Sequence, residues 1–164
     1  MALQKGDYMK YCSVDELKQF RFHDTEFTFL SLENGCLSVN AKHLNVSKNA
    51  EQNPYDCDME IDHAILKFDN FYAESFHRIM PMQKAGDGND YYFSVALHGD
   101  QAKELLIEQL MNRVTVFDFD FKDTSYYMDA ISSAEPFFTV FFGFDRVVIE
   151  WDSYLRPAWY EKNI

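Results

Sequence analysis

Two short stretches of the chain alternate with a strict period of two. Asp56-Cys57-Asp58-Met59-Glu60-Ile61-Asp62 places a carboxylate at every second residue, and Phe117-Asp118-Phe119-Asp120-Phe121 sets rings on one parity and acids on the other. Successive side chains of a β-strand point to opposite faces, so this pattern suits a sheet with one face on a core and one in water. It places the excess acid on the open face of that sheet and Phe117, Phe119 and Phe121 on its dry side.

The strongest local signal is a hairpin. Residues 25–33 and 36–46 flank Asn34-Gly35, and Asn-Gly favours the two-residue turn whose central residues both need positive φ. Counting back from the turn pairs Leu32 with Leu37 and Leu30 with Val39 on one face, with Ser31 and Ser38 on the other.

The remaining elements follow from spacing and breakers. Ser13 and Glu16 form a capping box ahead of Val14, Leu17 and Phe20, which predicts a short N-terminal helix. Residues 47–55 read as a loop ending in Asn-Pro, and 58–72 as one acidic strand with a β-bulge where the apolar parity changes from Ile61 and Ile65 to Leu66 and Phe68. Residues 84–90 are the most flexible by composition, and Tyr91, Phe93, Val95 and Leu97 alternate as a strand. A longer helix spans 100–112, capped by Asp100, with Ala102, Leu105, Leu106 and Leu110 along one side. Strands follow at 114–123, 137–142 and 146–154, and 125–133 fits either strand or helical turn. The expected fold is a single α+β domain over 1–164: an antiparallel-dominated sheet of about seven strands, sandwich-like or partly closed as a barrel, with those two helices.

Charge narrows the partners. With 27 acids against 15 Lys and Arg the formal charge is −12, which repels a phosphate backbone and anionic membrane surfaces and speeds encounter with a basic protein. No nucleic acid and no membrane are therefore expected as partners. No apolar run near residue 1 resembles a signal segment, and Cys12, Cys36 and Cys57 are too few and too dispersed for a disulfide framework, so a cytoplasmic location is expected.

No motif for a cofactor, a nucleophile elbow or a phosphate loop is present, and no catalytic or metal residue is assigned. Carboxylates two apart on one strand lie about 6.6 Å from each other, too far to converge well on a cation. Cys57 stands between acids that raise its thiol pKa and reads as a small core residue. His23-Asp24 leads into a strand and reads as a pair that fixes a turn. The candidate binding residues are Asp56, Asp58, Glu60 and Asp62 on the acidic strand, with Trp159 and Tyr160 as a possible stacking pair. The leading expectation is a non-catalytic protein-binding protein, with inhibitor or immunity proteins as one form, that docks a basic partner through an acidic sheet face. The alternatives are a carboxylate-based hydrolase, with or without a divalent metal, and a carbohydrate-binding module using Trp159 and Tyr160.

Overall fold

A computed structural model describes residues 9–79, 83–84, 90–91 and 94–161. The chain runs through β1 (Tyr11–Val14), a 3-10 turn (Leu17–Gln19), β2 (Phe20–Arg21), β3 (Glu26–Glu33), β4 (Cys36–Lys42), β5 (Asn45–Val46), β6 (Met59–Ile61), β7 (Ala64–Asp69) and β8 (Tyr72–Ile79). It continues through β9 (Gln83–Lys84), β10 (Asp90–Tyr91), β11 (Ser94–His98), α1 (Gly99–Met111), β12 (Val114–Lys122), β13 (Ser125–Ser132), β14 (Phe138–Gly143), β15 (Arg146–Trp151) and β16 (Tyr154–Pro157).

Ten strands form one sheet in the order β1, β15, β7, β4, β3, β12, β13, β14, β8, β11, antiparallel at every described pairing. A second sheet of four short strands runs β16, β6, β5, β2, and β9 and β10 make a small ribbon. The fold is thus α+β with an antiparallel sheet, but with ten strands in the main sheet rather than about seven. The two outer strands, β1 and β11, do not pair with each other, so the sheet is not closed into a barrel. It does bend strongly: the Phe68 ring of β7 lies 6.3 Å from Phe142 of β14, although four strands separate them in the sheet. Helix α1 packs Ala102, Leu106 and Leu110 into the fold and touches β3, β8 and β11. Nearly all the buried apolar residues form one connected cluster around these contacts.

The Asn-Gly hairpin forms as expected, with φ of 51° at Asn34 and 76° at Gly35. Leu32 pairs with Leu37 and Ser31 with Ser38, but the register then shifts and Val39 faces Phe29 instead of Leu30. Leu30 is the extra residue of a bulge and is 46% exposed. The bulge lets Phe29 and Phe27, rather than Leu30, follow Leu32 along the β4 partner strand.

Four other expectations are corrected. Ser13 does hydrogen-bond to Glu16 Oε2, at 3.2 Å, but Ser13 sits in β1 and only a 3-10 turn follows, not an α-helix. The stretch 58–72 is two strands: the chain breaks at Asp62-His63 as it passes from the small sheet into the large one, which produces the change of parity without a bulge. The position capping α1 is His98, with Asp100 inside the first turn. Residues 125–132 are strand, and the segment expected at 146–154 divides at Asp152-Ser153 into β15 and β16. Most of the stretch expected to be flexible, and Phe93, lie outside the described residues.

Candidate binding groove and acidic face

The acidic strand does not present a row of free carboxylates. Asp58 Oδ1 accepts the Lys48 backbone N–H at 2.8 Å, and its Oδ2 accepts the Tyr160 hydroxyl at 2.7 Å. Glu60 is nearly enclosed and accepts from Arg156 Nε at 3.1 Å while His43 Nδ1 lies at 3.3 Å from its other oxygen. Asp56 and Asp62 are exposed, one before β6 and the other after it. The middle of the stripe therefore ties the small sheet to its neighbours. Cys57 is half-buried with its thiol held up by burial and by Glu161, Asp56 and Asp58, and donates to Met59 Sδ at 3.7 Å.

Trp159 and Tyr160 split in the same way. Trp159 is 69% exposed, with its ring 6.4 Å from that of His23. Tyr160 gives its hydroxyl to Asp58, and burial followed by that bond holds its phenol far above the usual range.

A concavity lies elsewhere, in a cleft of ≈ 830 Å³ between residues 15–23 and the distal half of β12. Its floor is aromatic: Phe22 stacks on Phe119 at 4.4 Å, and Tyr126 lies within 6.3 Å of Phe119 and 4.9 Å of Phe121. Asp15, Glu16, Asp118 and Asp120 line it against Lys18 and Arg21, and none of these six charges is in an ion pair among the described residues. The wall exists because Asp24, at φ 66°, turns the chain away from β12. His23 then closes one end by placing Nδ1 2.8 Å from the Phe117 carbonyl. This turn-fixing role agrees with the sequence reading of His23-Asp24.

The ring parity of β12 is only half as expected. Phe119 faces the interior, but Phe117 is the extra residue of a bulge between Val116 and Asp118 and is 37% exposed, and Phe121 near the strand end is 52% exposed. The acid parity holds. Asp118 stands directly across from Asp129 on β13, and Asp120 across from Tyr127. Asp118 Oδ2 accepts the Tyr127 hydroxyl at 2.6 Å, and Asp129 Oδ1 accepts Thr139 Oγ1 at 2.5 Å. The bond to Asp118, then burial and the surrounding acids, pushes the Tyr127 phenol up to about 12. Among the described residues no cation pairs with Asp118, Asp120 or Asp129. The face continues across β14 and β8 through Phe141, 6.3 Å from Tyr127, to His77, 5.5 Å from Phe141.

The expected binding residues divide: Asp56 and Asp62 are exposed, whereas Asp58 and Glu60 are bonded within the fold. Both stretches alternate, but only pairing partners tell whether carboxylates are consumed, and those of Asp58 and Glu60 come from residues 43, 48, 156 and 160. The wall at residues 15–23 carried no separate signal. Among the described residues no three His, Cys, Asp or Glu come together as a metal set, and no helix is long and apolar enough to cross a membrane. Comparison of the chain with family models, with curated proteins and with solved structures returned no match.

Proposed function

We propose that the protein is a non-catalytic binding protein that docks a basic protein through the outer face of β12 and β13, a class that includes inhibitor and immunity proteins. The observation that carries this reading is the Asp118 and Asp129 pair. Like charges directly opposite on neighbouring strands destabilise a sheet by a few tenths to about 1 kcal/mol, and Asp120 adds a third carboxylate about 6.6 Å along the strand. The fold gains nothing from that repulsion. A cationic partner offsets it, and the formal charge of −12 accelerates and orients the encounter. The neighbouring Tyr127 and Phe141 supply the aromatic surface that binding hot spots favour.

The test compares Asp118→Lys/Asp120→Lys/Asp129→Lys with Asp56→Lys/Asp62→Lys in low-salt pull-downs. Basic proteins captured by the parent and by the second variant, released by salt and lost with the first variant, are the expected result. Equal capture by both variants would remove the β12 and β13 face from consideration.

One observation favours a carbohydrate-binding reading: Trp159 is 69% exposed, which leaves a ring face free to stack on a sugar. Glycan-array binding that disappears with Trp159→Ala would support it, and a silent array at high protein concentration would remove it.

A further inference from the structure

The geometry points to strand addition: the cleft receives an extended segment of the basic partner, which pairs with the open edge of β12. This rests on the acidic-face reading above and names how the partner enters. Strand β3 pairs with β12 only at Val114 and Thr115. One step further, Val116 donates its N–H to the Thr25 carbonyl at 2.9 Å and accepts the Asp24 N–H at 2.9 Å. There Asp24 turns the chain away, and among the described residues no strand pairs with residues 117–122 on the side opposite β13.

The register says which groups are left over. Lys122 and Ser125 flank a two-residue turn and so exchange both backbone bonds, after which paired and unpaired residues alternate. Phe121 and Phe119 therefore aim N–H and C=O away from β13. Consistent with this, the Phe121 N–H is taken by its own neighbour, Asp120 Oδ1, at 2.8 Å, and the Phe117 carbonyl by His23. Among the described residues Phe119 keeps a free donor and a free acceptor on the edge, and Phe121 a free acceptor. The open run of residues 117–122 is about 20 Å long, the length of an ordinary strand.

Period two fixes the occupant as well. A partner residue opposite Phe119 shares its face and meets the floor of Phe22, Phe119 and Tyr126, so it is apolar. Its neighbours share the face of Asp118 and Asp120, so they are basic. Strand addition of this kind draws affinity from backbone bonds and selectivity from alternate side chains. The four carboxylates lining the cleft outnumber Lys18 and Arg21, in keeping with a cationic segment.

The probe is an end-blocked hexapeptide alternating lysine and valine, and a second copy carrying N-methylvaline at each valine. Binding is followed by titration and by amide hydrogen exchange of the protein. The unmodified peptide is expected to bind, to weaken with salt, and to slow exchange at the Phe119 amide, whereas N-methylation weakens binding by about tenfold or more. Equal binding of both peptides, abolished by Asp118→Lys/Asp120→Lys, overturns strand addition and leaves the acidic face standing. Failure of both peptides at a salt concentration where intact basic proteins still bind has the same meaning. If the charge-reversed variants also capture basic proteins as the parent does, the acidic-face reading falls with it. Slowing of the Phe119 amide with protein concentration alone makes a second copy the occupant and overturns the proposal.

Discussion

At the residue scale, the facing carboxylates Asp118 and Asp129, which accept neutral hydroxyls but pair with no cation among the described residues, have measurable costs. Asp129→Asn keeps an oxygen for Thr139 and removes one member of the repulsive pair with Asp118. The variant is expected to be more stable by about 0.5 kcal/mol, read as a shift of the urea midpoint that shrinks when salt is added. A loss of stability would mean that the Thr139 bond needs the full charge and that the repulsion is already screened. The tyrosines give a pH signature. The folded-state phenols of Tyr127 and Tyr154 ionise at about 12, Tyr127 mainly through its bond to Asp118 and Tyr154 mainly through burial, against about 10 in an unfolded chain. With the folded pKa raised, the stabilisation is complete below about pH 10 and is lost as pH rises toward 12, because the unfolded chain releases these protons first. Urea midpoints across that alkaline range should fall, and Tyr127→Phe should make the fall shallower.

At the element scale, the bulges decide which residues matter. Leu30 stands in a bulge and is exposed, whereas Val39 on the facing strand is 2% exposed. Leu30→Lys is therefore expected to change stability by less than about 0.5 kcal/mol, and Val39→Ala to cost about 2 kcal/mol through lost burial and a cavity. Similar losses for the two would contradict the shifted register. The same residues show what was legible in the sequence. Asn34-Gly35 fixed the turn and the first two pairs because the turn chemistry is local. Nothing local marks Leu30 or Phe117 as the extra residue of a bulge, since that choice depends on which side chain reaches the core. Likewise the helix at 99–111 was legible from its 3.6-residue spacing, but two- to four-residue strands such as β2, β5 and β16 are too short to show any period. Of the proposed binding surface, the Asp118 and Asp120 parity was visible in advance, and the position of Asp129 opposite Asp118 was not. The groove needed both the turn at Asp24 and the end of the β3 pairing, neither of which a linear pattern contains.

At the scale of the whole molecule, a charge of −12 works against compactness. Raising ionic strength from near zero to about 0.15 M shortens the screening length to roughly 8 Å, and the thermal midpoint is expected to rise with it. Unchanged midpoints across that range would mean that the acids are already compensated within the fold. The topology carries a different consequence. Among the described residues strand β1 pairs only with β15, Tyr11 against Trp151, and the link from β14 to β15 is just Phe144-Asp145. A chain emerging from a ribosome can form the β3 and β4 hairpin early, yet its first strand has no partner until β15 has been synthesised. Contacts so distant in sequence make folding slow, and until β15 has been synthesised the inner strand β7 keeps one edge unpaired, the kind of edge on which strands of separate chains can join.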